Sequence, residues 1–462
     1  MDFDIRSYGA VPDGKTLCTA AIQAAVDACH AAGGGRVVVP AGGVFYSGGI
    51  ILKSNVNLHF EHGARMQASA DEKDYAQIPS KHNNELIYAG HAENVLIDGE
   101  GILTGNGEAL WGHYWGIRTP LGFRVACIYM EECRDVRVLD VTILYTDWYG
   151  IQIKLSEDVF ISRVKVFNYY YHLNSDGIDP DSSKNVTISD CHIVSGDDCI
   201  CPKSSVPGRP MENLTVTNCV LKTPMAAIKL GTTTVDVFRD IRFSNITIED
   251  SSVGCGIYMR DGGLVERVSF DNITYTYADL ESQKTAIPIY IDVDRRSTEV
   301  PYGKVRDVSF TNWQINSAVN CVLQGSAVSH IENLTLSNIT FRVPKPADYT
   351  ERIKSFGGKR RAPDDGRDFI YVQTPAAIAV AYTDGLTARD ISLYMDEPAQ
   401  DFDLSALYLA EVTDVFTSNI RRFGSAVKDP LPVIFREDGP GVLKLPKERQ
   451  DELRARQQPA ST

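Results

Sequence analysis

The stretch DVRVLDVTIL at residues 135–144 decides the reading of this chain, because it recurs. It returns as DVFISRVKVF from Asp158, NVTISDCHIV from Asn185, NLTVTNCVLK from Asn213, DIRFSNITIE from Asp240 and RVSFDNITYT from Arg267. Later copies are DVSFTNWQIN from Asp307, NLTLSNITFR from Asn333 and DISLYMDEPA from Asp390. Weaker copies begin at Asn55 and Asn94. Successive offsets are 23, 27, 28, 27, 27, 40, 26 and 57 residues, so the longer intervals read as insertions. Each copy alternates apolar and polar residues and is rich in Val, Ile, Thr and Phe, the pattern of half-buried strands. The sixth position holds Asp140, Asp190, Asn218, Asn245, Asn272, Asn312 and Asn338. Asn and Asp tolerate left-handed backbone and bond to nearby main chain, so this column predicts a turn and a side-chain ladder. The seventh position holds Val141, Val164, Cys191, Cys219, Ile246, Ile273, Trp313 and Ile339, a column that points inward. Cys191 and Cys219 are thus small buried hydrophobes. Strand-rich units of about 25 residues without helical connections predict an all-β solenoid, a parallel β-helix.

The ends differ from the middle. Residues 16–32 are Ala-rich with apolar spacing of three and four, which predicts a helix stopped by Gly33-Gly34-Gly35. Such a helix would cap the exposed end of a solenoid core, with His30 as a cation at its C-terminus. From Val442 the chain turns charged and helix-prone. The expected organisation is a β-helix domain over 1–441, its cap within about 1–50, and a tail over 442–462.

Composition narrows the function. Lys and Arg number 46 against 60 Asp and Glu, a net charge of −14. Nucleic-acid binding needs basic surface, so no nucleic-acid partner is expected. No apolar run approaches the length of a membrane span, so no membrane partner is expected. Met1-Asp2-Phe3-Asp4 carries no signal-peptide pattern, which gives a cytoplasmic expectation, or a secreted one if a leader has been removed. Ten cysteines without CxxC spacing predict neither a disulfide scaffold nor a zinc site.

Two acidic clusters carry the chemistry. Asn174-Ser175-Asp176-Gly177-Ile178-Asp179-Pro180-Asp181 precedes the repeat at Asn185, and Ser195-Gly196-Asp197-Asp198-Cys199-Ile200 follows it. Asp176 and Asp197 are 21 residues apart, close to one coil. One coil advances the axis by only about 4.8 Å, the strand spacing, so the clusters lie side by side. Converging carboxylates repel and raise at least one pKa, which suits cation binding or acid–base work.

These motifs resemble those of glycoside hydrolase family 28, the polygalacturonase family of right-handed parallel β-helices. Tyr8-Gly9-Ala10, Asp13-Gly14, Gly34-Gly35 and Val38-Val39-Pro40-Ala41-Gly42 resemble the same superfamily. The resemblance implies a single-stranded right-handed β-helix and inverting hydrolysis of an oligo- or polysaccharide, without a cofactor. It makes Asp197 the general acid and gives the activation of water to Asp176 and Asp198. An inverting pair is separated by about 6.5–9.5 Å to leave room for that water. The chain also departs from the family. Ala226 stands where the family has His, Arg260 where it has Lys, and Tyr258 where it has Arg. Those family residues grip a uronate carboxylate, so a different sugar or a short oligosaccharide is expected.

Asn174, Asp179, Lys203, Lys229, Tyr258 and Arg260 are read as substrate-contacting, the three cations as a rebuilt cationic subsite. Aromatic rings pack on sugar C–H faces. Trp111 and Trp115 are therefore candidates, with Tyr114, Trp148-Tyr149 and Tyr169-Tyr170-Tyr171 nearby. His113 and His172 are candidate replacements for the family His. Insertions around 276–305, with Asp292, Asp294, Arg295 and Arg296, and at 344–370 would wall the groove. Two other readings stand beside hydrolysis: a lyase using Ca²⁺ on the aspartates and Arg260 as base, and a non-catalytic carbohydrate-binding helix. The ends of a solenoid and its long loops also suit homo-oligomer formation.

Overall fold

A computed structural model describes residues 1–80, 84–110, 123–170, 172–277, 286–344, 376–396, 404–424 and, for the backbone, 433–435. The chain forms two compact units, Met1–Gly256 and Ile257–Thr462. Each is built of parallel strands stacked coil on coil, the parallel β-helix that the repeat predicts. No described helix is long and apolar enough to cross a membrane. The tail over 442–462 and the stretch 345–375 lie outside the described residues.

The two anchor columns of the repeat explain how a coil turns its corners. Every sixth-position Asp or Asn has left-handed backbone, with φ from 52° at Asn272 to 67° at Asp140. The first position of each unit is left-handed as well, as at Asp135, Asp158, Asn185, Asn213, Asp240, Asp307 and Asn333. Only Gly, Asn and Asp reach this region at low cost, because a Cβ otherwise crowds the carbonyl. Both columns form ladders. Asn218 Nδ2 donates to Asp190 Oδ1 at 3.1 Å, and Asn245 Nδ2 to Asn218 Oδ1 at 3.3 Å. In the first-position column, Asn213 Nδ2 donates to Asn185 Oδ1 at 2.8 Å and Asn185 Nδ2 to Asp158 Oδ1 at 2.9 Å. The seventh-position column is buried throughout, from Val141 to Ile339, with Trp313 among the largest buried side chains.

The predicted helix runs over Thr19–Ala31, later than residue 16 because Asp13–Leu17 is a strand. It buries Ile22, Ala25, Val26 and Cys29. His30 Nδ1 lies 2.9 Å from the carbonyl oxygen of Ser54, tying the helix end to the first coils.

One five-stranded sheet leads to the acidic clusters. Its strands are Ile50–Leu52, Glu85–Gly90, Ala126–Glu131, Ile151–Lys154 and Ile178–Asp181. Isolated bridges continue it, pairing Ile178 with Ile200 and Ile200 with Ile228. Ile50, Ile87, Ile128, Ile151, Ile178, Ile200 and Ile228 follow one another in register and are fully buried. That isoleucine column sets the register. A slip by one residue would exchange the faces of the sheet and expose it.

Candidate active site

Register brings the two acidic motifs together. The Gly177 N–H donates to the Asp198 carbonyl at 2.9 Å, and the Cys199 N–H to the Ala226 carbonyl at 3.0 Å. Asp176, Asp198 and Ala226 thereby occupy corresponding places on three successive coils. Two glycines make this stacking close enough. A Cβ at Gly177 would collide with the Cys199 carbonyl and Ile193, and one at Gly196 with backbone atoms of His172 and Tyr169.

The four acidic side chains at this place are all buried, Asp179 completely and Asp176, Asp197 and Asp198 nearly so. Each meets different partners. Asp198 has both oxygens held, Oδ2 by Lys229 Nζ at 2.6 Å and Oδ1 by the Ala226 N–H at 3.1 Å. Asp197 Oδ2 accepts from the Asn174 N–H at 2.8 Å, and its Oδ1 from the Asp198 N–H at 3.0 Å. Asp179 Oδ2 receives Lys203 Nζ at 2.5 Å, while the same ammonium stands 3.8 Å from Asp176 Oδ2. Oδ1 of Asp176 and Oδ1 of Asp179 are buried without a hydrogen-bond partner. A buried acceptor without a donor is costly, so these oxygens face a place where a donor belongs.

The electrostatics follow from this geometry. Burial, then the neighbouring Asp179, pushes the Asp176 carboxyl well above the ordinary carboxylate range. Burial raises Asp179 to about 6, with Lys203 pulling the other way. Burial and the adjacent Asp198 raise Asp197, against the Asn174 N–H and Lys229. Lys203 is desolvated, which by itself would lower it, but Asp179 and its other neighbours hold it well above an ordinary lysine. Its ammonium also lies 5.3 Å from the centre of the Tyr149 ring, a cation–π distance.

Asp176, Asp198 and Cys201 bring one oxygen or sulfur each within 4.8 Å of one another. The Lys229 ammonium already sits on Asp198, and Lys203 stands beside Asp176. A cation would have to displace a lysine, so the trio is part of an ion-paired cluster and we assign it no metal.

The other residues read from sequence fall in several places. Lys203 and Lys229 face the carboxylates, as just described, with side chains 16% and 19% exposed. Asn174 joins the cluster through its backbone N–H, and its Nδ2 lies 3.4 Å from Asp197 Oδ2. His172 is buried, with Nε2 3.3 Å from Asp147 Oδ1, and is closed off from solvent. Ala226, in the place of the family His, contributes its N–H to Asp198. Tyr258 and Arg260 belong to the second unit. There the Arg260 guanidinium bonds to the Asp292 carboxylate and, at 2.9 Å, to the Asp292 carbonyl, and Tyr258 packs 4.8 Å from Tyr290 between ring centres. Asp294 and Arg295 are adjacent to this pair in sequence, and Arg296 Nε pairs with Asp261 at 2.6 Å. Trp111, His113, Tyr114, Trp115 and Tyr171 lie outside the described residues. Trp148 stacks on Tyr149 at 5.1 Å, and Tyr145 on Tyr169 at 4.7 Å. Tyr170 donates from its hydroxyl to the Asp250 carbonyl at 2.5 Å.

Sequence reasoning missed Arg124 and Asp147. Arg124 Nη1 donates to Asn174 Oδ1 at 3.0 Å although the two residues are 50 apart in the chain. No motif surrounds Arg124, and only coil stacking brings it here. Asp147 is fully buried next to Trp148, a burial that no sequence pattern announces.

The family model of glycosyl hydrolases family 28 matches residues 29–356. A probable polygalacturonase of Vitis vinifera is 29% identical over 273 residues, 54% of this chain and 55% of that protein. The chain spans a little over half the length of the curated relatives such as this one. Among solved structures, an exopolygalacturonase from Thermotoga maritima is 22% identical with a TM-score of 0.61, covering 74% of this chain and 87% of that one. A family 28 exopolygalacturonase from Yersinia enterocolitica is 19% identical with a TM-score of 0.64, covering 90% and 78%. These two share the fold. With most of its length matched by the family model, the chain belongs to glycosyl hydrolases family 28.

Proposed function

We propose that this chain hydrolyses O-glycosidic bonds of a pectin-related saccharide with inversion at the anomeric carbon. The observation that carries this reading is the stacking of Asp176 beside Asp198, next to Asp197, with each carboxylate in a different environment. Asp197 is the acid: burial favours its neutral form, and it gives its proton to the leaving glycosidic oxygen. Asp198, held by Lys229 and the Ala226 N–H, takes a proton from the attacking water. The unpartnered Oδ1 of Asp176 holds that water against the anomeric carbon. As the C–O bond breaks, one proton leaves Asp197 and another reaches Asp198, so the cluster's charge is conserved.

The names of the relatives support a galacturonate-type substrate, and several are exopolygalacturonases. Lys203 and Lys229 would meet an acidic sugar only by sharing their ammonium groups with Asp179 and Asp198. A short or partly neutral pectic oligosaccharide therefore fits better than fully de-esterified polygalacturonate. The lyase reading is less well supported, because Arg260, its proposed base, is paired with Asp292. The test is a panel of pectic oligosaccharides assayed for new reducing ends. Wild type should release saturated sugar, and Asp197→Asn and Asp198→Asn should each lose about 10²–10⁴ in kcat. Full activity in either variant would refute the assignment.

A further inference from the structure

Beside the acidic loop lies a half-buried polar group that the chemistry above does not use. Arg124 lies just before the strand Ala126–Glu131, and its side chain is only 16% exposed. Its guanidinium is spent on one turn of the chain. Nη1 donates to Asn174 Oδ1 at 3.0 Å, and Nη2 to the Leu173 carbonyl at 2.7 Å and to the Asp147 carbonyl. Nε stands 3.5 Å from Asp147 Oδ2, and Asp147 Oδ1 is 3.3 Å from His172 Nε2. The Trp148 ring lies 5.9 Å from the guanidinium carbon. The clamped turn is the one that serves Asp197. Asn174 is left-handed, with φ 58°, and that conformation points its N–H to Asp197 Oδ2 at 2.8 Å.

We infer that Arg124 is a positioning residue, which clamps the Leu173–Asn174 turn and thereby aims the Asn174 N–H at the carboxyl of Asp197. An extended side chain with a planar fork of donors is required, because two carbonyls and an amide oxygen must be held together. Asp147 balances the charge that this places in the interior, a carboxylate with no exposed surface. Holding a left-handed Asn costs backbone energy, and without the clamp the turn relaxes.

The consequence is specific. A donor to the ionised form of a carboxyl favours that form. Losing the Asn174 donor therefore raises Asp197 further. The other groups facing Asp197 are Asp198, Lys229 and Asp176, and they stay in place. As the acid must be protonated, the alkaline limb of the rate profile moves to higher pH. Mispositioning the acid lowers kcat, while KM moves little, because the donors of Arg124 are spent on the Leu173–Asn174 turn and the Asp147 carbonyl.

The inference rests on the hydrolase reading, so its test has an arm that needs no turnover. In protein labelled with carboxyl-¹³C aspartate, the Asp197 signal is identified from its loss in Asp197→Asn and titrated in wild type, Arg124→Met and Arg124→Lys. The expected result is an upward shift of about 0.5–1 pH unit in the Met variant, with Lys in between. On a substrate turned over by wild type, the Met variant should lose about tenfold or more in kcat, with KM within about threefold. If the Met variant does not fold, the Arg124→Lys variant carries the test and should shift Asp197 in the same direction. An unchanged Asp197 titration in the folded variants overturns the inference, whatever the activity. Absence of any turnover in wild type, with the titration shifted as expected, would sink only the hydrolase reading.

Discussion

Asp176, Asp197 and Asp198 are the same residue type on two successive coils, yet their surroundings differ. Lys229 and a backbone N–H bind both oxygens of Asp198, while Asp176 keeps one buried oxygen unpartnered. That orphan oxygen predicts a cost in stability. The native state holds the Asp176 proton more tightly than the unfolded chain, so the stabilising contribution is complete below the unfolded pKa and is lost as pH rises through the folded value. Asp176→Asn removes the buried charge. It should be more stable than wild type at pH 7 by about 1–3 kcal/mol, and the gain should shrink towards pH 4. Urea denaturation at both pH values measures this, and a variant less stable at pH 7 would contradict it. Asp179, raised to about 6, adds to the same trend in wild type. The sequence made these aspartates legible because two short motifs hold them one coil apart. It left Arg124 and Asp147 hidden, since their partnership with Asn174 and His172 spans several strands and follows no repeated spacing.

At the scale of the coil, the repeat unit is a pair of strands between two left-handed corners. The sixth-position column was legible as a ladder, because Asn recurs there. The first-position ladder was less visible, since Asp, Asn and Arg267 alternate in it. Both corners have the same physical demand. Asn218, with φ 57° and a bond to Asp190 at 3.1 Å, shows the two contributions together. Asn218→Ala should cost about 1–2 kcal/mol from the left-handed backbone and the lost hydrogen bond. Asn218→Gly should recover the backbone part, because glycine reaches this region freely. Denaturant midpoints for the pair would separate the terms, and equal losses in Ala and Gly would show that conformation contributes nothing. The helix was placed correctly in kind but begun too early, because Asp13–Leu17 pairs as a strand with Val44–Ser47.

Over the whole molecule, the sequence led to the fold through periodicity and to the chemistry through local motifs. It could not show which side chains the stacking carries inside. The cysteines outside the repeat columns illustrate this: beyond Cys191 and Cys219, which the inward column placed inside, the other eight are also free, buried thiols, Cys201 beside Asp176 and Asp198 among them. Reductant should therefore leave the melting temperature unchanged, and iodoacetamide should modify no cysteine in the native protein within the time that labels the unfolded chain completely. Rapid labelling of a native thiol would contradict the packing described. The family departures also take on a physical meaning at this scale. Ala226, with no polar side chain, offers Asp198 only its backbone N–H, and Lys229 supplies a cation to the same carboxylate. The acidic cluster is thus held from within its own coils.

In the proposed reaction Asp197 protonates the leaving oxygen while water, activated by Asp198 and Asp176, attacks from the opposite face. Proton NMR of the first product formed from a pectic oligosaccharide, recorded before mutarotation, tests it most directly. The expected first product is the anomer opposite to that of the bond cleaved, and it is lost in Asp197→Asn. A first product that retains the configuration, or one bearing a double bond, would contradict it.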